Sequence, residues 1–311
     1  MTSDYRKVIQ ELDAGEIAMK VDRLINILAA ITLIEMMVTI GLGVTLSDVL
    51  RVSRSWNLVA RAVLANYILV PAAAVGLLLL FRANPLVAVG FLVAAICPGA
   101  PYGPPLTAMA KGNVPVSVGL MVILAGSSAI VAPLLLQFLL PLVAGDTPLT
   151  ISVVKIIGTL LGAQLLPLCV GLLLRHQYPS LAHKLRGPAG VLSASLNLLT
   201  LAVILFVQFR VLTEIRLIGY VGMLSLLIVT MVAGVLVAKR TPEERKGMVI
   251  TTSVRNVGVS LVIVSGSFPG TAAITSATVY ALFQTIVMVL VALAWGRLTP
   301  AGIVSVKMKA A

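Results

Sequence analysis

Nine apolar runs follow one another along this chain, at 24–46 (A), 57–81 (B), 85–109 (C), 114–142 (D), 149–174 (E), 188–209 (F), 216–238 (G), 247–267 (H) and 271–296 (I). A helix needs about 20 mostly apolar residues to cross the hydrocarbon core of a bilayer, and each run is long enough. Most connections between them are too short to hold a soluble domain. In lipid every backbone polar group must be satisfied within the chain, so apolar runs of this length are helices. The pattern predicts an all-α polytopic membrane protein with nine transmembrane helices and the lipid bilayer as its surroundings. A polar segment (1–23) precedes the first run and a tail (298–311) follows the last.

Composition closes the alternatives. Hydrophobic residues make up 59% of the 311 and charged residues only 11%, which disfavours soluble enzymes, secreted scaffolds and disordered chains; soluble domains carry about 25% charge. A net charge of +12 is compatible with a nucleic-acid partner, but the Lys and Arg sit singly or in small groups between apolar runs, where a polytopic protein keeps them. No nucleic-acid partner is therefore expected. Cys97 and Cys169 both lie in apolar surroundings, and two such residues make neither a disulfide framework nor a metal site. The first 22 residues contain no apolar core of a cleavable signal peptide. With nine spans, fourteen of the 23 Lys and Arg fall on one side, in stretches such as 51–61, 175–186 and 239–246, and seven on the other. The richer side is expected to be cytoplasmic, which puts the N-terminus outside and the C-terminus inside.

Two runs cannot be plain helices. Run C contains Cys97-Pro98-Gly99-Ala100-Pro101-Tyr102-Gly103-Pro104-Pro105. Each proline in a helix interior costs about 3 kcal/mol, so four of them in nine residues predict unwound backbone. At membrane depth that is tolerated only inside protein or beside a water-filled cavity. Run H contains the polar series Thr251-Thr252-Ser253-Val254-Arg255-Asn256-Val257-Gly258. Arg255 lies nine positions beyond Lys246, about 13 Å of helix, too deep to reach the membrane surface easily. Runs C and H are each followed by one more span, so A–D and F–I form two groups of four whose helices have opposite orientations across E. Paired interrupted helices in inverted halves point to a transport site near the midplane. The domains expected are a first repeat at 24–143 and a second at 149–297.

Four stretches resemble the bile acid:sodium symporter family: Gly41-Leu42-Gly43-Val44-Thr45-Leu46 with Ser47-Asp48, Asn66 with Pro71, Cys97-Pro98-Gly99 through Lys111-Gly112-Asn113, and Asn256 with Gly258. The resemblance runs over about 24–297. It implies two inverted repeats, a panel domain and a core domain, and two discontinuous helices that cross near the ion sites. It also implies a multi-pass location in a bacterial-type inner or plasma membrane. On the order of motifs, the first helix of the family's ten-helix bacterial form has no counterpart. The broader fold is similar to that of auxin efflux and arsenite carriers.

The likeness breaks at the positions that would hold sodium. A Ser-Asn pair is replaced by Gly103-Pro104, a shared Glu by Thr251, a Gln by Arg255 and a Thr by Met121. Asn66 (for a Gln), Ser117 and Asn256 are retained or similar, and Thr252 and Val254 complete the positions aligned with ion ligands. A guanidinium 4 Å from a cation adds about 4 kcal/mol of repulsion at an effective dielectric of 20. The expectation is that the two sodium sites are lost or altered; whether a residual sodium site remains is open, and no other metal or cofactor is expected.

Three readings of the deep charges stay open. Arg255 can replace the cation and, with Asn256, Ser253, Pro101 and Tyr102, bind an organic anion. It can instead pair with Glu35, the acidic residue deep in run A. Glu35 can also serve as a proton-coupling group. No P-loop, HExxH or acidic metal cluster is present, so ATP drive and enzymatic chemistry are disfavoured. The function expected is secondary transport of organic anions, bile-acid-like or small carboxylated or sulfated solutes, by alternating access. The alternatives are a proton-coupled or uncoupled anion carrier and a non-transporting sensor of the same fold.

Overall fold

The computed structural model describes residues 2–145, 147–213, 217–238 and 241–298. The tail expected at 298–311 lies outside the described residues beyond Leu298. Among the described residues the chain is helical throughout, and seven helical stretches are long and apolar enough to cross a membrane. These are 23–43, 56–80, 114–144, 153–177, 217–237, 242–267 and 272–298, with Pro85–Ile96 as a shorter apolar helix. Run F falls within one long helix, Pro179–Thr213. Large apolar side chains such as Phe138, Leu236 and Leu290 stand on the outside, as lipid contact requires.

Helix α1 (Thr2–Gly43) continues the polar N-terminal segment into the first span. A short helix α2 (Leu46–Ser53) follows. The second run is α3 (Trp56–Leu64), a π-helical turn at Ala65–Leu69, and α4 (Val70–Leu80). Run C is α5 (Pro85–Ile96) and α6 (Gly103–Met109), with no helix between them. Then come α7 (Val114–Ala144), α8 (Val153–Leu160), a π-helical turn at Leu161–Leu165, and α9 (Leu166–Gln177). The chain ends with α10 (Pro179–Thr213), α11 (Leu217–Val237), α12 (Pro242–Ser253), α13 (Val257–Ser267) and α14 (Ala272–Leu298).

Proline explains three of these irregularities. Pro71 and Pro167 each follow a π-turn, where Val70 N–H bonds back to Ala65 O and Leu166 N–H to Leu161 O. Widening the turn relieves the clash between a proline ring and the carbonyl four residues earlier. The break in run C is shorter than the proline series: Pro104 and Pro105 lie in the first turn of α6, where the missing N–H is unneeded anyway. The non-helical backbone is 97–102, and Gly99 takes a φ of 82° there.

Two packing groups result. Helix α1 lies along α9 and α10, and at Gly41 and Gly171 the α1 and α9 backbones touch with no room for a Cβ on either. Such small-residue crossings bring membrane helices close enough for dispersion to hold them. The other group joins α5 to α14, α7 and α4, and α11 to α12. The groups meet where α1 packs on α13 and where α7 packs on α8.

Candidate functional site

The two breaks touch. Asn256 N–H donates to Cys97 O at 2.8 Å, and Asn256 Nδ2 donates to Gly99 O at 3.3 Å. Asn256 Oδ1 accepts from Val259 N–H and caps α13, so this one side chain both starts the second half-helix and ties it to the other break. Tyr102 Oη donates to Arg255 O at 3.0 Å, and Gln284 of α14 grips the backbone of the same residue on both sides, accepting from Arg255 N at 3.1 Å and donating to Arg255 O at 3.1 Å. Unwound backbone leaves donors and acceptors free, and here each break supplies partners to the other.

Arg255 is 1% exposed. Its guanidinium donates to Asn66 Oδ1 at 3.0 Å, to Ala95 O at 3.3 Å and to Thr252 O. Nε has no partner among the described residues. Asn66 is set by the first π-turn: its Nδ2 donates to Ala62 O at 2.8 Å, which turns Oδ1 toward the guanidinium. Three amide-type oxygens therefore converge on a buried cation, and no described carboxylate pairs with it. The pairing with Glu35 is not formed. Glu35 accepts from Thr39 Oγ1 at 2.6 Å and from Ser193 Oγ, because its face of α1 turns to α10 while Arg255 turns to α5 and the π-turn.

Beside this lies a hydroxyl cluster. Ser117 Oγ and Thr251 Oγ1 are 3.1 Å apart, and Thr107 Oγ1 lies 3.0 Å from both Ser117 Oγ and Gly103 O. These groups are buried and satisfy one another. Of the remaining sodium-aligned positions, Val254 is buried apolar backbone, and Pro104 and Met121 face a cavity.

That cavity, about 520 Å³, opens between the two packing groups. Its walls are Met36 to Gly43 of α1 with Val44 just after it, Pro101 to Leu106 at the broken segment, Val118 and Met121 of α7, Arg186 to Asn197 of α10, Val257 of α13, and Thr285 and Val289 of α14. Pro101 and Tyr102 line it; Ser253, Arg255 and Asn256 do not, since they are buried behind its wall. Among the described residues the one charged side chain on it is Arg186, which extends past Gly43 and bonds no described residue. Sequence reading placed Arg186 in a connection. It lies on α10, and its spacing to Gly190, Ser193 and Asn197 marks one helical face, a signal visible in the sequence once Pro179 is read as a helix start. The short helix α2 was also legible: Thr45 caps it and bonds Asp48, a capping-box variant. Gln164, held in the second π-turn, bonds Ala125 O and Ser128 of α7 and so joins helices rather than lining this cavity.

The fold and this meeting of two broken helices beside a cavity define a polytopic membrane carrier. The sequence profile of the sodium bile acid symporter family matches residues 30–215, and the chain belongs to that family. Its members are transporters, so the chain is not an enzyme. No individual curated protein matches it.

Proposed function

We propose that this protein is a sodium-independent secondary carrier of amphipathic organic anions, in which Arg255 stands permanently where relatives place a sodium ion. The cavity carrying Arg186 is the observation behind the cargo class. Its volume lies in the range of small-molecule sites. Arg186 and Asn197 are eleven residues apart, about 16 Å along α10, so a head group on Arg186 leaves the cavity depth for an apolar body against Met36, Ile40 and Met121. A planar guanidinium with no described partner suits carboxylate or sulfate.

Asn66 Oδ1 and Thr252 O, two oxygens aligned with sodium ligands, are occupied by the guanidinium, and the carboxylate that sodium needs is Thr251. This supports loss of that ion. In this reading nine spans are arranged as inverted repeats with crossing discontinuous helices, the N-terminus is outside, and the cavity opens to the cytoplasm. Alternating access follows as the α1–α9–α10 group rocks against the broken helices.

Counterflow of labelled anions in proteoliposomes, over a panel that includes cholate, taurocholate and dicarboxylates, tests the carrier. Exchange is expected at the same rate in sodium and in choline; a tenfold rise with sodium, or no exchange of any anion, overturns the proposal. Arg186→Gln is expected to raise the half-saturation concentration about tenfold, the worth of one charge-assisted contact, and Arg186→Lys to raise it less.

A further inference from the structure

A second cavity of about 410 Å³ lies toward the other end of the first span (23–43), walled by Asn26 and Ala30, by residues of the α8 region from Thr150 to Leu160, and by the last turns of α13. Asn26 and Ala30 on one side and Met36 to Gly43 on the other thus line two separate cavities from one helix, with the fully buried Leu33 between them. Leu33 rests on Gly258 at the start of α13, which closes the septum.

The chemistry of this second cavity is one-sided. Lys155 is its one charged side chain among the described residues, is exposed, and bonds no described residue through its ammonium. No carboxylate among the described residues lines it. Asn26 Oδ1 lies 3.0 Å from Ser265 Oγ, which also reaches Leu261 O, and the Asn26 NH₂ bonds no described residue. Ser152 Oγ accepts from Lys155 N, so its own proton is likewise free. An ammonium, an amide NH₂ and a hydroxyl offer donors and a positive charge with no competing acid among the described residues. Ile151, Ile156 and Val262 supply an apolar side. Each cavity therefore has apolar residues in its wall and a single basic residue among those described.

We propose that this cavity is a second anion-binding site, with Lys155 as its cation, that receives the cargo's head group on the face of the membrane opposite Arg186. As a vestibule of the transport route it rests on the carrier reading; as a binding site it does not, and the experiment separates the two. In a Cys169→Ser background, Thr159→Cys places a thiol one turn from Lys155. Modification by a negatively charged thiosulfonate is measured with increasing cholate, with an uncharged steroid as control.

Cholate is expected to slow modification and the uncharged steroid to leave it unchanged. Lys155→Gln is expected to raise the protecting concentration about tenfold, while Lys155→Arg keeps it near the parental value. Absent protection, or equal protection in Lys155→Gln, overturns the site. Protection without counterflow keeps the site and removes the carrier; counterflow without protection does the reverse.

Discussion

Arg255→Gln is expected to stay folded and to lose anion exchange by about a hundredfold. The guanidinium makes charge-assisted bonds to Asn66 Oδ1, Ala95 O and Thr252 O, which belong to the π-turn, to α5 and to α12. Losing two of these three bonds costs about 3 kcal/mol, and 1.4 kcal/mol is a factor of ten. Folding suffers less than transport, because the buried cation has no carboxylate among the described residues and removing it recovers desolvation cost. What is lost is the single charge that holds three segments in one register. The same oxygens, freed, suit a hard cation once a carboxylate is returned. Thr251→Glu combined with Arg255→Gln is therefore expected to recover exchange at least tenfold in sodium and not in choline. Parental exchange in the single variant would remove Arg255 from the mechanism. A double variant active without sodium would show that those oxygens form no ion cage.

How far the sequence reached depended on whether a residue's role was local. The apolar runs, the unwound stretch after Cys97 and the depth of Arg255 follow from spacing and proline chemistry, and the structure has helix, break and burial at those places. The family followed from the same motifs. Side-chain direction did not. Arg255 and Glu35 are both deep, yet whether they meet depends on which neighbours each helix face turns to, and those are set by the Gly41–Gly171 crossing and the π-turn at Asn66. Arg186 was assigned to a connection because its flanking residues are polar, although it sits on a helix whose next turns line the cavity. Asn256 was read as a ligand for cargo, and its place as the cap and tie of a broken helix was not legible, because that role exists only once Cys97 and Gly99 are brought beside it.

That tie makes Gly99 the most vulnerable single backbone position in the site, and Gly99→Ala is expected to cost both stability and transport. The left-handed conformation at φ 82° costs an alanine about 1–2 kcal/mol. A Cβ built there lies 2.4 Å from Ala125 N and 2.7 Å from Ala125 Cα, so the clash is with the backbone of α7, which no rotamer change relieves. Overpacking of this kind adds about 1–3 kcal/mol. The break must then move away from α7, and Gly99 O carries the bond from Asn256 Nδ2 with it, so the Arg255 peptide next in the chain shifts as well. The expected result is a loss of roughly 2–5 kcal/mol, read as a lower Tm in detergent, together with exchange reduced in the protein that remains folded. Gly76→Ala supplies the control: it lies in α4 with nothing within 4 Å of a new Cβ, and the helix gains about 0.5–1 kcal/mol from the substitution. A Gly99→Ala variant whose Tm and exchange rate match the parent would mean that the contact between the breaks and α7 is neither tight nor needed for transport.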